Sequence, residues 1–257
     1  MNGISIFKHA VQMVLGNLGA ALRIGFLPQL ALVLLAWLLT TPAPQLAVGE
    51  GGLPALPDAG AFTGGLLVLV AQLLIALWVA VAWHRYVLLE EQPGAFLPGW
   101  NGAAIWAYFK AAFVLAIVVL LVSLPLSFIG GLVSAPLLLS GAGLLAVLLM
   151  FVIVGLPVAW VGYRLSPMLP GAAIGEPLAL GQAWAATDRA GPGLLMLALV
   201  SVVAVWALQL PLLWLALAAP ILALVWSLLT NWLIVMVGAG IATTIYGHYV
   251  QGRPLNA

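Results

Sequence analysis

Cysteine is absent from the 257 residues, which excludes disulfides, thiolate catalysis and cysteine-ligated metals. Charge is scarce. Seven Lys and Arg and six Asp and Glu make up 5% of the chain, against roughly 25% in a soluble domain. Such a chain cannot clothe itself in a water-facing surface. Its net charge of +1 offers no field for nucleic acid. The apolar runs are continuous rather than alternating, which argues against an outer-membrane barrel. Nucleotide-binding glycine loops, serine elbows, HExxH spacings and paired carboxylates are also missing. No ionisable residue falls at the middle of an apolar run, where a proton-coupled carrier needs one. No catalytic site, metal or cofactor is therefore expected.

What remains is apolar. Hydrophobic residues make up 65% of the chain and mean hydropathy is +1.25. With about 20 residues per crossing, the runs predict one all-α integral membrane domain over residues 1–257, a bundle of six transmembrane helices. The spans fall near residues 24–40, 64–88, 101–123, 144–163, 194–210 and 221–246. Before them, Ile4, Phe7, Val11 and Val14 recur at helical spacing beside Lys8 and His9, predicting an amphipathic interfacial helix over residues 4–22. A cleaved signal peptide fits poorly, because too many residues precede the first apolar run. Residues 42–62, rich in Pro, Gly and Ala, form the sizeable loop of the opposite side. Residues 125–141 are apolar but interrupted by Pro125, Gly130, Gly131 and Pro136. They fit either a turn with a re-entrant piece or an extra half-helix. Pro157 in the fourth span predicts a kink.

The longest stretch unsuited to lipid runs from Gly162 to Gly193 and holds Arg164, Glu176, Asp188 and Arg189. Pro177 opens a short cytoplasmic amphipathic helix there, with Leu180, Trp184 and Thr187 on one face. Gly191-Pro192-Gly193 closes it. With six spans, all seven basic residues (Lys8, Arg23, Arg85, Lys110, Arg164, Arg189, Arg253) share one side with both termini. Basic loops face the cytoplasm, so the expectation is a bacterial inner membrane protein with both ends inside. The even spans end alike, at Trp83-His84-Arg85-Tyr86, Tyr163-Arg164 and Tyr246-Gly247-His248-Tyr249. Three hairpins on one plan, or the ordinary enrichment of aromatic and basic residues at inner helix ends, both account for this.

Candidate sites are few. Arg85, Arg164 and Arg189, beside Tyr163 and Trp184, predict a collar for anionic headgroups or an acidic partner segment, since arginine holds phosphate with a planar fork. Gln72, Thr230 and Asn231 lie near mid-depth and predict intramembrane polar contacts. Gly238 and Gly240 predict close helix approach. His84, Glu90, Glu91, Glu176, Asp188 and His248 share the inner side but lack compact metal-ligand spacing.

Arg164, Leu169-Pro170, Leu180, Ala183-Trp184, Thr187 and Gly191 resemble a pattern in bacterial polytopic membrane proteins related to the membrane domain that accompanies some glycerophosphodiester phosphodiesterases. The resemblance covers about 30 residues and implies an inner-membrane helical bundle. The soluble phosphodiesterase domain has no counterpart in these residues, so no activity follows. The expected role is a non-catalytic one, an assembly, scaffold or regulatory factor acting through membrane lipids or another integral membrane protein. The alternative is a small transporter with a polar path between helices.

Overall fold

Lipid offers backbone N–H and C=O groups no partner, so a chain this apolar must satisfy them within helices. The computed structural model describes residues 2–39 and 59–255; the loop expected at 42–62 lies mostly outside them. Among the described residues there is no strand, and six helical stretches are long and apolar enough to cross a membrane. The protein is an all-α, multi-pass bundle.

Helix α1 (Gly3–Gly16) starts at Asn2, whose side-chain oxygen accepts the Ile4 N–H. Helix α2 (Leu18–Ala21), a π turn (Leu22–Phe26) and α3 (Leu27–Leu39) form the first crossing, α4 (Ala59–Leu89) the second and α5 (Gly102–Leu139) the third. The fourth joins α6 (Gly143–Met150), a π turn (Phe151–Gly155) and α7 (Leu156–Leu165). Two short helices follow, α8 (Met168–Ile174) and α9 (Leu180–Ala186), then a 3₁₀ turn (Asp188–Ala190). Helices α10 (Gly191–Gln209) and α11 (Leu212–Ala218) make the fifth crossing, and α12 (Pro220–Tyr249) the sixth.

Each π turn ends two residues before a proline, Pro28 in one case and Pro157 in the other. Proline lacks the N–H that the carbonyl four residues back would use, and its ring crowds that carbonyl. Widening the preceding turn relieves both problems. The disturbance expected at Pro157 takes this form.

Residues 125–141 are neither a re-entrant piece nor a separate half-helix. Helix α5 runs unbroken through Pro125 and Pro136 for 38 residues, about 57 Å at 1.5 Å per residue. A break there would strand several unpaired backbone groups in lipid, a larger cost than one missing bond per proline. The chain reverses at Ser140–Ala142, where Gly141 has φ +82°. At this position the left-handed backbone favours glycine.

Burial is lopsided. On α4 the buried residues other than Gly64 lie between Leu77 and Leu88, on α12 between Thr230 and Gly247, and on α10 between Gly193 and Ala198. These stretches adjoin one end of the bundle. Toward the other end Leu139, Leu217, Ile221 and Trp214 are among the most exposed side chains, as suits a lipid-facing surface.

Helix α1 helps to build the packed end. It buries Gly3, Ile6, Ala10 and Val14 in the same core as Leu194, Leu197, Met236 and Ile241. Of the apolar stripe Ile4, Phe7, Val11 and Val14, Val14 is buried, Phe7 and Val11 are half-buried against this core, and Ile4 is 49% exposed. Small residues form the seam because the backbones nearly touch. A Cβ at Gly3 would overlap the backbone of Gly193 and Leu197, and one at Gly240 would sit 3.3 Å from the Ala10 carbonyl oxygen. Gly240 therefore makes the close approach expected of it, against α1. Gly238 does not: a Cβ there meets nothing within 4 Å.

Overpacking a close contact costs roughly 1–3 kcal/mol. Gly240→Leu is therefore expected to destabilise the bundle by about that amount in detergent unfolding, and Gly238→Leu by less than about 0.5 kcal/mol. Equal losses would show that α1 is not docked on α12 as described.

Candidate functional site at the basic end

Helices α4, α8 and α12 all terminate at the packed end, and helix C-termini leave carbonyls without partners and a partial negative charge. Three arginines supply donors. Arg85 Nη1 donates to the Ala173 carbonyl of α8 at 2.9 Å. Arg253 Nη2 donates to the Leu88 carbonyl of α4 at 3.2 Å. Arg164 Nη2 donates to the Trp184 carbonyl in α9 at 3.0 Å. Each arginine thus ties one segment to the C-terminal turns of another.

Arg164 is the most enclosed, at 5% exposure. Its guanidinium lies 3.9 Å from the ring centre of Trp184 and 5.2 Å from that of Trp160. It also donates to Asp188 Oδ1 at 3.1 Å and to Thr187 Oγ1 at 3.4 Å. Thr187 is buried and hydrogen-bonds back to the Arg164 carbonyl at 3.1 Å. Trp160 Nε1 donates to the Gly191 carbonyl at 3.0 Å. The stretch expected to be a water-exposed inner loop is therefore folded onto the ends of the crossings. Gly191-Pro192 opens α10, with proline in its first turn, rather than closing the short helix.

Helix α8, which carries no helix signal in the sequence, tucks Met168, Pro170, Gly171, Ala172 and Ala173 against the bundle. It stops at Gly175, φ +87°, whose N–H returns to the Gly171 carbonyl. Glu176 then accepts the Tyr246 hydroxyl at 2.8 Å.

The anticipated collar is thus divided. Arg85 spends its fork on the Glu91 carboxylate and the α8 carbonyl, and Arg164 spends its own as described. Trp184 lies against Arg164, and Tyr163 is half-buried beside Ser201 in an apolar groove between α1, α10 and α12. Of the five predicted residues Arg189 alone is exposed, and it has no ion pair among the described residues. Lys8, Arg23 and Lys110 share that condition. Their exposure was not readable from spacing alone.

His84 is fully buried rather than interfacial. Its Nδ1 lies 2.8 Å from Thr243 Oγ1, and Thr243 gives its own proton to the Ala239 carbonyl. His84 Nδ1 is accordingly the donor, and its ring stacks on Tyr108. Among the described residues no three His, Asp or Glu side chains come together as a metal would require. A cavity of about 240 Å³ opens beside Arg85, lined in part by Glu91, Gln92, Trp100 and Asn101.

At mid-depth, Gln72 and Asn231 line one cleft together with Gln29. Thr230 stands apart: it is buried, and its hydroxyl donates to the Trp226 carbonyl of its own helix at 2.8 Å. Comparison with models of protein families, with curated proteins and with solved structures finds no match.

Lysine has neither the planar fork nor the stacking face of arginine, and breaking up a buried charge network costs several kcal/mol. Arg164→Lys is expected to destabilise the protein by about 2 kcal/mol or more, while Arg189→Lys stays within about 0.5 kcal/mol in the same detergent unfolding assay. Equal effects would mean that the Arg164 fork is dispensable.

The Arg85 hydrogen bond holds the Glu91 carboxyl below its ordinary value of 4.5. A depressed carboxyl pKa stabilises the fold above that ordinary value, and the contribution is lost as pH falls through the lower folded-state value. Acid should therefore lower the melting temperature less in Glu91→Gln than in the native chain. An identical acid dependence would rule out this linkage.

Proposed function

We propose that this is a non-catalytic protein of the bacterial inner membrane that works by holding anionic lipid headgroups, or a partner membrane protein, at its basic end. In this reading both termini are cytoplasmic, as expected for the side that gathers basic residues. Its role is that of an assembly, scaffold or regulatory factor. The family likeness of residues 164–191 adds the inner-membrane setting.

The observation that carries this reading is the division among the cations. Arg85, Arg164 and Arg253 are engaged with carbonyls inside the fold, whereas Lys8, Arg23, Lys110 and Arg189 are exposed without an ion pair among the described residues. An exposed cation near an anionic bilayer contributes about 1 kcal/mol of attraction. Lys110 follows the 59%-exposed Trp106 by one helical turn, the pairing of charge and aromatic ring that anchors helices at headgroup level.

The test is lipid selection by the purified chain in mixed nanodiscs, read by native mass spectrometry. Changing Lys8, Arg23, Lys110 and Arg189 together to Gln should abolish the preference for anionic over zwitterionic lipid. Single cysteines at Gly99 and Ser140 should label from opposite sides in both forms, which verifies insertion. An unchanged lipid preference in a correctly inserted variant would sink the proposal.

A further inference from the structure

The crossings carry three side-chain amides at one level: Gln29 on α3, Gln72 on α4 and Asn231 on α12 all line a single cleft of about 100 Å³. Gln72 lies 13 residues from Arg85 and 13 from the start of α4. At 1.5 Å per residue that is about 20 Å from either end. Asn231 is 11 residues into the 30-residue α12. These amides therefore sit near the middle of the hydrocarbon layer. Neither Gln72 nor Asn231 is covered, and none of the three has a hydrogen-bond partner among the described residues.

An amide facing hydrocarbon without a partner is costly, so something must answer it. A side-chain amide carries two donors and one carbonyl acceptor, and is its own complement. The flanking residues repeat at alternating intervals of four and three. On α4 they are Gly65, Leu69, Gln72 and Ala76, and on α12 Leu224, Leu228, Asn231, Val235 and Gly238. All of these are exposed except Leu228, which is half-buried. That spacing is the seam of a helix awaiting another helix, and a polar residue within such a seam fixes register.

We propose that a second copy of this chain occupies the cleft. A twofold axis places Gln72 of one copy against Asn231 of the other, and Asn231 against Gln72, so one contact patch satisfies both pairs. Neighbouring small residues let the backbones approach. The inference is independent of the lipid-binding reading, because it concerns the mid-membrane level rather than the basic end.

Because the native chain contains no cysteine, a single introduced thiol reports contact without ambiguity. In liposomes at high lipid dilution, a mixture of Ala76→Cys and Val235→Cys chains should form a disulfide-linked dimer, since the axis sets α4 of one copy against α12 of the other, and Leu132→Cys on α5 should not. Photobleaching of singly labelled full-length chain should show two-step events. The Gln72→Leu, Asn231→Leu double variant should weaken association about fifty-fold, the worth of four interhelical amide hydrogen bonds. Its unfolding in detergent should be unchanged, since these side chains touch no partner within one copy. Single-step bleaching of the native chain would overturn the proposal. So would undiminished pairing of the double variant, or crosslinking through Leu132→Cys alone.

Discussion

Everything at the packed end rests on arginine donors meeting helix C-terminal carbonyls. In a bundle whose even crossings all end on one side, several sets of orphan carbonyls collect at one level, together with the negative ends of their helix dipoles. Such carbonyls need donors, and α8 and α9 fold back against the ends that carry them. Arg85, Arg164 and Arg253 supply those donors. Arg164 is the strictest case, because two tryptophan rings cover the guanidinium while its donors reach a carbonyl, a hydroxyl and a carboxylate. Only a planar, delocalised cation serves both demands. Some of the basic residues gathered at this end are thus structural fasteners, and the cations left over, Lys8, Arg23, Lys110 and Arg189, are exposed.

Away from that end the governing constraint is hydrocarbon. Helix persists through Pro125 and Pro136, and turns widen ahead of Pro28 and Pro157, because any other arrangement leaves more backbone unpaired. Tryptophan N–H groups follow the same rule. Trp226 donates to the Leu208 carbonyl and Trp232 to that of Ala21, stitching α12 to α10 and to the first crossing. Gly25 makes room for this second stitch, since a Cβ there would press on Met236 and the Trp232 ring.

The class of the protein, its six crossings and the gathering of basic residues at one end could be read from hydropathy and charge placement, which lipid enforces strongly. Features that depend on contacts between distant segments could not. Met168–Ile174 reads as loop because its Pro-Gly pair has weak helix propensity, yet small residues are what its tight seat requires. The inward stripe of α1 runs through Gly3, Ile6, Ala10 and Val14, and its two small members lie where the backbones come closest. An arginine that faces a headgroup and one that caps a helix look alike in sequence. Gln72 and Asn231 were recognisable as mid-depth polar residues, but their shared cleft with Gln29 needs three helices in place.

The central claim is that residues 166–190, which join the fourth and fifth crossings, are held as firmly as the crossings by the Arg164 fastening. Hydrogen–deuterium exchange of the full chain in nanodiscs measures this directly. The account predicts slow exchange across α8 and α9 in the native protein, with protection lost there, but not in α5, when Arg164 is changed to Lys. Fast exchange of α8 and α9 in the native protein, or protection indifferent to that change, would contradict it.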